Sequence, residues 1–236
     1  MNRELKVLDG GMGGELIARG IMPSSGLWSA RALLDSPDAV MEVHSDYIKA
    51  GAEVITTNSY STIPSYLAKA GMSERYEDLT DIAAKMARTA ADGASSKVEV
   101  AGCLPPLSES YRHDLVPPDA EGFEVYKNLV TVLQPSVDLY LCETMSCARE
   151  AATAAKAARA VDADKPVWIA WTLDETPGGG LRSGEEIEEA MAAVAPYSPD
   201  AYLFNCTAPE AISVAIEQIV KLTDKPVGAY PNRFHV

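Results

Sequence analysis

Short runs of β-branched and aliphatic residues alternate along the chain with longer stretches whose apolar positions recur every three or four residues. Seven runs, fenced by turn residues, predict strands: Lys6–Leu8, Glu53–Thr57, Val98–Ala101, Asp138–Cys142, Val167–Thr172, Ala201–Phe204 and Val227–Ala229. The intervening stretches predict helices. Ser36-Pro37-Asp38 supplies an N-cap, a proline at the first helical position and an early acid. Val40, Val43, Tyr47 and Ile48 then share a face, and Gly51 marks the stop. A second helix from Ser73 carries Tyr76, Leu79, Ile82, Ala83, Met86 and Ala90 on one stripe, and a third spans Ala120–Leu133. The fourth, over residues 147–161, is so rich in alanine that it predicts close packing on a sheet. The fifth opens on Ser183-Gly184-Glu185-Glu186, a capping-box spacing. The sixth starts at Pro209 and repeats Ile212, Ala215, Ile219 and Leu222.

Strands that alternate with helices imply parallel pairing through right-handed crossovers. A doubly wound open sheet and a (β/α)₈ barrel compete. No strand leads into a G-x-G-x-x-G turn, the mark of a dinucleotide-binding open sheet. Nearly every predicted strand ends instead on a polar or special residue: Asp9, Asn58, Cys103, Glu143, Asp174, Cys206 and Asn232. A barrel brings such ends to one mouth. The expected fold class is α/β, a (β/α)₈ TIM barrel with seven βα units visible, forming a single domain over residues 1–236 that lacks its C-terminal eighth unit.

Composition narrows the partners. The 236 residues carry a formal net charge of −14, which argues against nucleic acid or an anionic membrane. Apolar runs break off well short of the ~18–20 residues of a membrane span, and the N-terminus enters a strand at once, without room for a signal peptide. Four cysteines without framework spacing read as reduced thiols, so the expected compartment is the cytoplasm.

Several positions could carry chemistry. The loop Asp9-Gly10-Gly11-Met12-Gly13-Gly14 offers either a tight turn needing positive φ or a backbone that can approach an anionic ligand closely. Glu143, at a strand end, suits a substrate ammonium or general-base work, or is simply solvated. Cys206 is a thiol at another strand end, although a lone cysteine commonly serves as a small buried apolar residue. Cys142 is expected to face the helices, Cys147 to sit at a helix start, and Cys103 is undecided. Among the histidines, His44 reads as a satisfied helix residue, and His113 has no nucleophile pattern beside it. Trp28, in the long first βα loop, could hold a cation on its indole face or anchor the loop. No CxxC, CxxxH or HExxH spacing occurs, so the chain holds no self-sufficient zinc site.

In order along the chain stand LDGGMGGEL, the segment ending AGAEVITTNSY, AGCLPPLSESYR, LYLCET, LRSGEE, FNC and GAYPN. Together they resemble the homocysteine S-methyltransferase family, zinc-dependent enzymes that include betaine- and S-methylmethionine-using members. The resemblance implies a (β/α)₈ barrel and a zinc held by three thiolates. One matches Cys206 after Asn205; the other two, an adjacent Cys-Cys pair, are expected beyond residue 236. It further implies that Asp9 and Gly10 hold the amino-acid substrate, that Glu143 meets its amino group, and that Trp28 lies where betaine-using relatives face a quaternary nitrogen. The expected activity is methyl transfer from a small sulfonium or ammonium donor, S-methylmethionine- or betaine-like, to the zinc-activated thiolate of homocysteine, giving methionine. Small molecules are the expected partners, with self-association open. The alternative is a non-catalytic barrel that binds an amino acid or sulfonium without a competent metal. A Schiff-base lyase ranks last, because no predicted strand ends on lysine.

Overall fold

A computed structural model describes residues 5–21 and 27–232. The chain forms two compact units. The first comprises the segment up to Cys103 together with Thr131–Leu139; the second comprises Leu104–Val130 and the chain from Tyr140 onward. The pairings between named strands among the described residues are parallel, so the fold is α/β as the alternating pattern requires.

In the first unit, β1 (Val54–Thr56) pairs with β2 (Glu99–Leu104) in the register Val54↔Glu99, Ile55↔Val100 and Thr56↔Ala101. The strand expected at Lys6–Leu8 contracts to a single parallel bridge, Leu8↔Val54. Leu5, just before that run, and Val7, within it, point to one face and are both exposed, so that face has nothing to bury and the pairing does not extend. Helices α1 (Met12–Ala18), α2 (Ala32–Asp35), α3 (Pro37–Lys49), α4 (Pro64–Ala68) and α5 (Tyr76–Asp92) supply the apolar core, with Leu16, Leu33, Val40, Val43, Leu67 and Leu79 all buried. Pro37 opens α3 as its position predicts, but the Ser36 side chain makes no capping bond. The buried face of α3 is Val40, Val43 and His44, while Tyr47 and Ile48 are only half-buried. His44 also departs from expectation. It is fully buried, and neither ring nitrogen has a hydrogen-bond partner among the described residues.

The second unit holds the strand order β3 (Leu139–Met145), β4 (Val167–Trp171), β5 (Ala201–Asn205) and β6 (Val227–Tyr230). Helices α6 (Asp119–Leu133), α7 (Ala148–Val161), α8 (Ile187–Val194) and α9 (Pro209–Ile219) alternate with the strands. Alanine does what its small size allows: Ala151, Ala154, Ala155, Ala157 and Ala158 of α7 are completely buried. At the centre, Trp171 stacks on Tyr202 with ring centroids 5.7 Å apart. The capping box predicted at Ser183 falls instead on Glu186 and Glu189, each accepting from the other's backbone. Leu222 lies past the end of α9 and is exposed, because the chain leaves the helical face before reaching it.

Two irregularities shape the strand ends. Opposite Cys142–Met145 of β3 stand only Ile169–Trp171 of β4, which makes a bulge of one extra residue that contains Glu143 and Thr144. Beyond β5, Cys206 adopts φ 52°, a left-handed conformation that turns the chain out of the sheet. No helix among the described residues is long and apolar enough to cross a membrane.

Candidate functional site

Among the described residues, four other than glycine have a positive φ: Tyr111 (66°), Thr144 (59°), Ser198 (48°) and Cys206 (52°). Each such conformation costs an L-residue roughly 1–2 kcal/mol, and such strain clusters at working sites. Three of the four meet around one sulfur. The Thr144 hydroxyl donates to Cys206 Sγ at 3.8 Å, and Asn205 Nδ2 donates to it at 3.2 Å. The Tyr111 side chain also faces this sulfur and opposes the rise in its pKa. The bulge and the left-handed turn are locked together, since Thr144 N donates to Asn205 Oδ1 at 3.0 Å and Asn205 Nδ2 reaches Thr144 Oγ1 at 2.8 Å. The Thr172 hydroxyl donates to the Cys206 carbonyl at 3.3 Å.

Glu143 belongs to the same group. The Tyr230 hydroxyl donates to its Oε2 at 3.2 Å, and the Tyr230 carbonyl accepts from Cys206 N at 3.3 Å. The structure thus places two of the sequence-predicted site residues, Glu143 and Cys206, beside each other. Burial pushes the Cys206 thiol pKa up, and the negative charge of Glu143 pushes it further. The hydrogen bonds from Thr144 and Asn205, together with the Tyr111 side chain, oppose that shift. Left to itself, the sulfur favours its protonated form.

The other predicted positions lie in the first unit. Both carboxylate oxygens of Asp9 are engaged by Thr56, Oδ2 accepting from its backbone N–H at 2.7 Å and Oδ1 from its hydroxyl at 3.1 Å. None of the glycines in the Gly10–Gly14 run is among the positive-φ positions, so the tight-turn reading is not what they satisfy. Gly10 is needed for space: a Cβ there would lie 2.6 Å from Tyr47 Oη. Trp28 opens the 3₁₀ turn Trp28–Arg31. Of the other thiols, Cys142 is fully buried, Cys147 caps α7, and Cys103 is buried within β2.

Residue-by-residue reading of the sequence passed over Tyr111, Thr144 and Arg182. The Arg182 guanidinium lies over the Tyr111 ring, 5.0 Å from its centroid. Tyr111 and Arg182 sit inside SESYR and LRSGEE, two of the strings that carry the resemblance, and that was their only signal.

Cys206 is the only cysteine that is not shut into a core. Asn232 Oδ1 is a buried acceptor without a partner among the described residues. No three His, Cys, Asp or Glu side chains gather to hold a metal among the described residues. These donors fit one side of a zinc site and do not close it.

The family model for homocysteine S-methyltransferase matches residues 6–235. The homocysteine S-methyltransferase of Escherichia coli (strain K12) is 29% identical over 246 residues, an overlap of 98% of this chain and 78% of that protein. Homocysteine S-methyltransferase 4 of Zea mays is 32% identical over 252 residues, covering 96% of this chain and 72% of the relative. Among solved structures, the metallated form of the homocysteine methyltransferase MmuM from Escherichia coli superposes with a TM-score of 0.87 at 28% identity, covering 99% of this chain and 85% of that one.

Proposed function

This chain belongs to the homocysteine S-methyltransferase family, and we propose that its Cys206–Glu143 site binds homocysteine for methylation to methionine. The observation that carries the reading is the convergence of Thr144, Cys206 and Tyr111, all with strained backbone, on a sulfur next to a carboxylate. Strain held at one point by mutual hydrogen bonds fixes a geometry in advance of ligand, as a displacement between two aligned atoms requires.

Glu143 takes the substrate ammonium in a charge-assisted hydrogen bond, and the Tyr230 hydroxyl orients that carboxylate. Asp9 and Gly10 are proposed, on the resemblance, to hold the amino-acid part of the substrate, and Trp28 to face the donor cation. Cys206 is proposed as one zinc ligand, with the remaining thiolates beyond residue 236. A zinc ion bound there would supply a lowered thiol pKa, so that homocysteine loses its proton yet keeps a sulfur able to attack. Transfer would form an S–CH3 bond at the homocysteine sulfur while the methyl–sulfur or methyl–nitrogen bond of a sulfonium or ammonium donor, S-methylmethionine- or betaine-like, breaks and the rest of the donor departs as a neutral thioether or amine. Thr144, Asn205 and Tyr111 hold Cys206 in place throughout. The wider proposal is a single (β/α)₈ barrel domain in the cytoplasm acting on small molecules.

The alternative is a binder without turnover. Cys206→Ser separates the two. The catalytic reading expects the wild-type protein to carry stoichiometric zinc and to form methionine from homocysteine, and the variant to lose both. Full zinc in Cys206→Ser would remove the ligand assignment. Glu143→Ala is expected to raise the homocysteine KM at least tenfold with little change in metal content, and an unchanged KM would count against its role.

A further inference from the structure

Arg182 stands at the end of the excursion that follows β4, which is closed by the antiparallel bridge Leu173↔Leu181. Its side chain is only 11% exposed, and its bonds are few for a cation so deep. Nη2 donates to Glu175 Oε1 at 2.6 Å, and Nε donates to Thr172 Oγ1 at 3.4 Å. A guanidinium has five N–H donors. Two are used, and Nη1 has no partner among the described residues. Glu175 is not free to supply more, because its other oxygen already accepts from Ala208 N at 3.1 Å, holding the turn after Cys206. The ring of Tyr111 covers one face of the guanidinium, so the unfilled capacity is at the edge.

That edge belongs to the Cys206 site. Tyr111 sets its ring against Arg182 and also faces Cys206, so one phenol stands between cation and sulfur. Thr172 forms a second link, accepting from Arg182 and donating to the Cys206 carbonyl. A planar fork with an open edge matches a carboxylate or a phosphate, and of the two only a carboxylate is carried by a homocysteine-like ligand. Four bonds of about 1.5 Å separate the sulfur of a homocysteine-like molecule from its carboxyl carbon, a reach of roughly 5–6 Å. This suits a ligand whose sulfur and carboxylate lie toward opposite ends of Tyr111.

We propose that Arg182 binds the carboxylate of an α-amino-acid substrate at this site, complementing Glu143 at the ammonium; the assignment rests on the homocysteine reading above. Both homocysteine and an amino-acid methyl donor such as S-methylmethionine carry that group, and the test tells them apart. Calorimetric binding to the full chain is measured for two pairs: homocysteine against 3-aminopropane-1-thiol, its decarboxylated form, and S-methylmethionine against its decarboxylated form. The wild type is expected to prefer the carboxylate member of one pair by about 10–100-fold. In Arg182→Met that preference falls below about threefold, while the decarboxylated ligand binds as before. The pair affected identifies the substrate. Arg182→Lys, which keeps a point charge but loses the fork, is expected to recover part of the preference.

A preference that persists in Arg182→Met for both pairs overturns the assignment and leaves the homocysteine reading standing. Equal loss of all four ligands also overturns it, marking Arg182 as a brace. A wild type that binds neither homocysteine nor S-methylmethionine defeats the functional reading, and the assignment with it. Should Arg182→Met not fold, Arg182→Gln removes the charge, keeps a donor for Glu175 and is judged by the same outcomes.

Discussion

Acidifying the protein from pH 7 to pH 4 is expected to act on one side chain in the core of the first unit. His44 on α3 is wholly inaccessible, and burial holds its pKa down at about 4 against an ordinary 6.5. Between those values the unfolded chain binds a proton that the folded chain refuses, so stability rises with pH across the window and falls as pH drops through it. The gap between 6.5 and about 4 corresponds to about 3 kcal/mol, at ~1.4 kcal/mol per pH unit. The penalty is absent above pH 6.5 and complete below pH 4. Chemical denaturation of wild type and His44→Leu at half-unit steps from pH 7.5 to 4 isolates it, because both share all other titrating groups. Leucine has a similar volume and no polar atom to leave unpaired, so the variant should equal or exceed wild type at pH 7. Its advantage should then grow by about 2–3 kcal/mol on the way to pH 4. Parallel stability curves for the two proteins across that range would refute the reasoning, since they would mean that His44 is solvated or partnered.

Other expectations follow from single contacts. Gly180 has φ 76°, and a Cβ there would lie 2.5 Å from the Glu185 carbonyl oxygen, so Gly180→Ala should destabilise by about 2–4 kcal/mol in urea melts. Because Gly180 precedes Arg182, any fold that survives should also show altered ligand binding. Asp9→Asn exchanges a charged acceptor for a neutral one at Thr56 and should cost about 1–2 kcal/mol, read by thermal melting. Buried Glu150 accepts from Leu107 N at 3.3 Å, and burial raises its carboxyl pKa. The folded state therefore holds the proton longer, and stability should fall as pH rises through the titration; Glu150→Gln should flatten that fall.

Much of this architecture was legible in the sequence because strands and helices were marked by period and punctuation. Six predicted strands appear within a few residues of their expected bounds, and α3, α7 and α9 begin where Pro37, Cys147 and Pro209 place them. The misses share a cause, which is that local pattern carries no knowledge of what lies opposite. Lys6–Leu8 alternates like a strand but has no second face to bury. His44 beside Val43 read as a satisfied polar residue, and only packing shows that nothing polar reaches it. Ser183 had the spacing of a cap, but the helix starts later, at Ile187. At the site, Cys206 and Glu143 could be picked out by residue type and strand end. The bulge that displaces Glu143, the left-handed φ at Cys206 and the ring shared by Arg182 could not, because each depends on contacts between residues dozens of positions apart.

The burial of three thiols beside a half-open fourth has a practical consequence. Cys103 and Cys142 are at most 1% accessible and Cys147 is 7% accessible, whereas Cys206 is intermediate. An electrophilic dye added to the folded molecule should therefore label one position first. The natural chain then serves as its own singly tagged reporter, and the rate at which colour develops becomes a clock for anything that docks against that sulfur.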